Sequence, residues 1–73
     1  MMSLEKQLID LYGEKRGRQV FMTVSPGIFA DFMKMLKSAP PEKIVTEEYR
    51  MEDGTGSVFM KGKKKHDGSV EIL

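Results

Sequence analysis

A chain of 73 residues without cysteine is one small domain, with no disulfide and no thiolate metal site. Hydrophobic residues at 40% and charged residues at 32% are the proportions of a globular domain. Twelve Lys and Arg against eleven Asp and Glu leave +1, which selects no partner, and no apolar run approaches the roughly 20 residues of a membrane span.

Ser3 suits a helix N-cap, and Glu5 suits the positive end of the helix dipole. Leu4, Leu8, Leu11 and Tyr12, with Ile9 adjoining, recur at helical spacing, and Gly13 can end the last turn in the left-handed conformation. The spacing predicts a helix over 3–13, followed by a polar link over 14–18. Gln19-Val20-Phe21-Met22-Thr23-Val24 is rich in β-branched and aromatic residues, which predicts a strand, apolar on both faces and therefore interior.

Ser25-Pro26 reads as an N-cap followed by the first helical residue, where a missing N–H costs nothing. Phe29, Phe32, Met33 and Leu36 form the stripe of a helix over 26–38, which Pro40-Pro41 ends. Three strands follow, over 43–51, 57–65 and 69–73. They are separated by the turn cluster 52–56 and by the tight turn His66-Asp67-Gly68.

The expected fold is a single small α+β domain over 1–73 with the order α-β-α-β-β-β. One right-handed βαβ unit over 19–51 and a C-terminal antiparallel meander form a mixed sheet, with both helices packed on one face.

Arg18 to Leu36, a short strand with Thr23 and then Ser25-Pro26 and an amphipathic helix, resembles the strand-and-first-helix half of ribbon-helix-helix DNA-binding proteins. That family continues into a second helix, whereas Pro40-Pro41 and β-type sequence follow here. The resemblance therefore assigns no DNA-reading residue.

The densest charge is Lys61-Gly62-Lys63-Lys64-Lys65-His66. As a hairpin tip it would lie along a phosphate backbone through Lys61, Lys63, Lys64 and Lys65, extended by Arg16 and Arg18, with Tyr49 or Phe59 stacking on a base. Gly62 would allow close approach. The alternative is a solvated edge. A five-residue loop at 52–56 sets Glu47 opposite Lys61 and Tyr49 opposite Phe59, and the next turn sets Glu71 opposite Lys63. Such pairs neutralise part of the charge.

Catalytic chemistry has little to draw on. Glu47 and Glu48 are strand neighbours and point to opposite faces. His66, the one histidine, falls in an exposed turn and has no cysteine or second histidine to share a metal with. Gly54-Thr55-Gly56 lacks the third glycine of a dinucleotide fingerprint, and Gly62-Lys63 is followed by Lys64, not the Ser or Thr of a phosphate loop.

Seven methionines mostly suit core packing, but Met35 lies off the main helical stripe and marks an apolar contact for a partner or a second subunit. The expectation is a non-enzymatic protein-interaction module, acting as a homo-oligomer or bound to a protein partner, with no catalytic residue, metal or cofactor. A small nucleic-acid-binding protein is the alternative. The opening Met1-Met2-Ser3-Leu4-Glu5 lacks the basic start and apolar run of a secretory signal, and the lack of cysteine suits a reducing compartment. The expected location is cytoplasmic.

Overall fold

A computed structural model describes residues 3–73; Met1 and Met2 of the expected 1–73 domain lie outside the described residues. Helix α1 spans Leu4–Tyr12, with Ser3 Oγ accepting the Lys6 N–H at 3.2 Å as its N-cap. Gly13, at φ 88°, ends it by donating its N–H to the Ile9 carbonyl. This single residue then caps helix α2, which spans Glu14–Ser38.

The strand expected over 19–24 is not formed, and the helix does not begin at Pro26. Val20, Val24, Ile28, Phe32 and Leu36 recur every four residues, with Gly17, Phe21, Ser25 and Phe29 adjoining, so one apolar stripe runs straight through the proline. Strand preference of β-branched residues spans only about 1 kcal/mol and yields to burial of that stripe. Pro26 itself is exposed, and so is Met22, whose carbonyl lacks the N–H donor that residue 26 would otherwise supply. With 19–24 helical there is no βαβ crossover, and the likeness to ribbon-helix-helix proteins loses its strand.

The sheet is a three-stranded antiparallel meander in the order β1-β2-β3, made of β1 (Val45–Arg50), β2 (Ser57–Lys64) and β3 (Val70–Ile72). Two helices on such a sheet form a small α+β domain. The element order is therefore α-α-β-β-β.

Before β1, Pro40-Pro41-Glu42-Lys43 makes a turn in which Glu42 takes φ 64°. Position three of a turn with proline at position two commonly requires that sign.

The first hairpin register lies one residue from the expected one. Thr46 faces Lys61, Glu47 faces Met60 and Tyr49 faces Val58. The Met51 N–H bonds to the Gly56 carbonyl at 2.8 Å and closes a four-residue loop, within which Gly54 takes φ 77°. A slip of one residue exchanges faces, so Glu47 points towards the helices and Lys61 away from them. The second hairpin has the expected register, with Lys63 opposite Glu71.

Leu4 and Leu8 of α1, Ile28, Phe32 and Leu36 of α2, and Met51, Val58 and Met60 of the sheet form the core. Gly62 faces this layer. A Cβ there would lie 2.7 Å from the Glu71 carbonyl oxygen and 3.1 Å from both Leu36 Cδ1 and Phe32 Cε2. Its lack of a side chain thus serves the contact between α2 and the sheet.

The far edge of β2, beyond the reach of short β3, is closed by a side chain. Gln7 donates from Nε2 to the Phe59 carbonyl at 2.9 Å and accepts the Phe59 N–H on Oε1 at 2.8 Å. One amide side chain thus replaces the main-chain pair that a neighbouring strand would supply.

Candidate functional site

The lysine segment was the first candidate, and most of its charge is already engaged. Lys63 Nζ lies 2.9 Å from Glu42 Oε1, Lys65 Nζ lies 3.9 Å from Glu71 Oε2, and Lys64 Nζ donates to the Lys37 carbonyl at 3.1 Å. The last contact places a cation on the negative end of α2. The hydrogen bond from Lys63 holds the Glu42 carboxyl below its ordinary value, and the same bond raises Lys63. Among the described residues, Lys61 is the member of the four that forms no ion pair or hydrogen bond through its ammonium group.

Arg16 and Arg18 do not extend this patch. Arg16 sits 5.4 Å from the centre of the Tyr12 ring, and Arg18 pairs with Glu14 at 3.1 Å across one turn of α2. Tyr12 in turn donates to Asp53 in the β1–β2 loop, which is the opposite end of the hairpin from Lys63 and Glu42. Phe59 is 44% exposed on the helix-free face of the sheet, which it shares with Lys61, whereas Tyr49 lies on the other face. Met35 is half-buried on α2, and Met22 is the more exposed methionine at 76%. His66 is exposed in the β2–β3 turn. Among the described residues, no group of three or more His, Cys, Asp or Glu side chains is placed to hold a metal ion, and no helix is long and apolar enough to cross a membrane.

A concavity lies elsewhere, between the middle of α2 and the outer edge of β1. It is a groove of about 560 Å³ lined by Tyr12, Val20, Val24 and Ile28 from the helices and by Tyr49 and Met51 from the sheet, with Glu48, Arg50, Glu52 and Asp53 completing it. Val20, Val24 and Tyr49 are only half-buried.

Main-chain polarity adds to this. Antiparallel pairs alternate between hydrogen-bonded and non-bonded. The bond from Met51 to Gly56 makes positions 45, 47 and 49 the bonded members of β1. The N–H and C=O groups of Thr46, Glu48 and Arg50 therefore point away from β2, and among the described residues nothing hydrogen-bonds to them. The same alternation turns Phe59, opposite Glu48, outward to Gln7 on the other edge.

One end of the groove is held rigid by hydrogen bonds. Tyr12 Oη lies 2.8 and 2.9 Å from the two Asp53 carboxylate oxygens, and Thr55 donates its side-chain O–H and backbone N–H to Asp53 Oδ1 at 2.7 and 3.1 Å. These bonds, those from Thr55 foremost, hold Asp53 below the usual carboxylate range. Tyr49 lies further along the groove. Its hydroxyl oxygen is buried and has no hydrogen-bond partner among the described residues. Burial, followed by the negative charges of Glu47 and Asp31, pushes the phenol up from its ordinary value.

The sequence had not marked this site, although the four-residue spacing of Val20, Val24 and Ile28 carries its helical wall. Comparison with protein-family models, curated proteins and solved structures finds no match to this chain, so the site is interpreted from its own geometry.

Proposed function

We propose that this chain is a non-enzymatic protein-interaction module and that it binds through the groove between α2 and the open edge of β1. The observation that carries this reading is the conjunction of an apolar groove with a row of unpaired main-chain donors and acceptors. An exposed edge offers hydrogen bonds to any extended backbone, and the pockets beside it select side chains. Only a protein presents both complements together. The size of the domain supports the same reading, because a chain of 73 residues buries a smaller fraction of its surface by itself than a larger domain does and gains by association.

Nucleic-acid binding is the weaker reading, because Lys63, Lys64 and Lys65 already have partners within the fold and Arg16 and Arg18 stand apart from them.

Val20→Asp tests the reading. It places a charge in the groove at a half-buried position of α2. Capture of protein partners by the immobilised chain is expected to fall at least tenfold, with the far-ultraviolet circular dichroism of the wild type retained. Capture that is unchanged in the variant, or that disappears on nuclease treatment of the wild-type sample, contradicts the proposal.

A further inference from the structure

Granting that the groove and the β1 edge are an interaction surface, we infer that a second copy of this chain occupies it. The two β1 strands pair antiparallel about a twofold axis at Tyr49.

The register follows from which main-chain groups are free. Those of Thr46, Glu48 and Arg50 point outward, so a twofold pairing that uses them is centred on residue 47, 48 or 49. Centring on Glu48 sets that glutamate against its own copy. Centring on Glu47 sets Thr46 against Glu48 and leaves Arg50 without an opposite charge. Centring on Tyr49 sets Glu48 of each copy against Arg50 of the other, twice. Only this last register sets opposite charges face to face on the outer face of the sheet. Both side chains lie on the exposed face of the sheet, free to meet.

The inner face agrees with the same centre. Tyr49 then stands opposite Tyr49 of the second copy, and each covers the half-buried Val20 and Val24 of the other groove. Glu47, which points inward, is set against Met51 of the second copy.

The remaining edges explain why β1 is the one used. The free edge of β2 is closed by Gln7, and β3 has only three residues. Strand β1 has six residues, Val45-Thr46-Glu47-Glu48-Tyr49-Arg50, with neither the lysine nor the proline that commonly guards an edge.

The test is a charge exchange read by light-scattering mass over a dilution series of the full chain. Wild type is expected at twice the monomer mass, falling to the monomer on dilution. Glu48→Arg leaves each copy with two facing arginines, and Arg50→Glu leaves each with two facing glutamates. Each variant alone is expected to be monomeric and folded by circular dichroism. Mixed in equal amounts they restore opposite charges at both positions, and the dimer mass is expected to return. Wild type that is monomeric throughout, single variants that keep the wild-type mass, or a mixture that stays monomeric would each overturn the inference.

The Val20→Asp capture experiment, run in parallel, separates this from the broader reading. A monomeric wild type whose partner capture still depends on Val20 removes the second copy as occupant and leaves the groove as the binding site.

Discussion

Gly17→Ala is expected to destabilise the domain by about 2–3 kcal/mol, although the same change in an ordinary helix interior stabilises by about 1 kcal/mol. The reversal comes from the helix pair. One residue, Gly13, joins α1 to α2, so the two helices fold back on each other at once. At their crossing a Cβ on Gly17 would lie 2.5 Å from Ile9 Cα and 2.8 Å from both the Ile9 nitrogen and the Leu8 carbonyl oxygen. All three are backbone atoms, so no rotamer change relieves the clash, and the helices must separate. Leu8 is fully buried and Leu4 nearly so, and both lose packing as α1 shifts. Gln7 sits on the same helix, so the bonds that close the β2 edge at Phe59 are strained with it. In urea unfolding the midpoint should fall with an unchanged slope. The melting temperature should fall by about 10 °C or more, at several degrees per kcal/mol for a domain of this size. A variant as stable as wild type would mean that the two helices do not cross at Gly17.

Pro26→Ala is expected to act in the opposite direction, raising stability by about 1–3 kcal/mol. Proline in a helix interior costs about 3 kcal/mol relative to alanine, because it removes one hydrogen bond and crowds the preceding turn. Pro26 lies thirteenth in the 25 residues of α2, and its side chain is exposed, so alanine loses no core contact there. Had a helix begun at residue 26, the proline would occupy its first turn and alanine would bring no gain. Thermal unfolding of the two proteins therefore tells a continuous α2 from a strand followed by a helix. A neutral or destabilising effect would contradict the continuous helix.

How far the fold was legible depends on whether a signal was local. Ser3, Gly13, the end of α2 before Pro40-Pro41 and the turn at His66-Asp67-Gly68 are all decided by capping or turn chemistry within a few residues; each stands where expected, Gly13 with the positive φ of the left-handed cap but with ψ extended at 165°. The segment 19–24 was misread because its composition favours a strand and Ser25-Pro26 imitates a helix start. What overrides both is burial against α1 and the sheet, through a stripe visible only when 20, 24, 28, 32 and 36 are counted as one series. The one-residue register error has a similar origin. The turn chemistry of 52–56 puts Gly56 in the loop, whereas its carbonyl accepts the Met51 N–H, so Gly56 belongs to the ladder and the loop holds four residues.

The candidate site was hidden for the same reason. With 19–24 placed in the sheet, Val20 and Val24 are strand-core residues and cannot wall a groove. The lysines are the more conspicuous feature of the sequence, and their partners Glu42 and the Lys37 carbonyl are distant along the chain. The lysine and glutamate opposed at 63 and 71 could be paired from the turn alone.

Amide hydrogen exchange along β1, followed against protein concentration, tests the central claim that this edge is the binding edge. Val45, Glu47 and Tyr49 hydrogen-bond to β2, and their amides should be protected at every concentration. The amides of Glu48 and Arg50 should exchange rapidly in dilute solution and become protected as concentration rises or a bound protein is supplied. Rapid exchange of Glu48 and Arg50 under all of these conditions, with the Glu47 and Tyr49 amides still slow, would contradict the account.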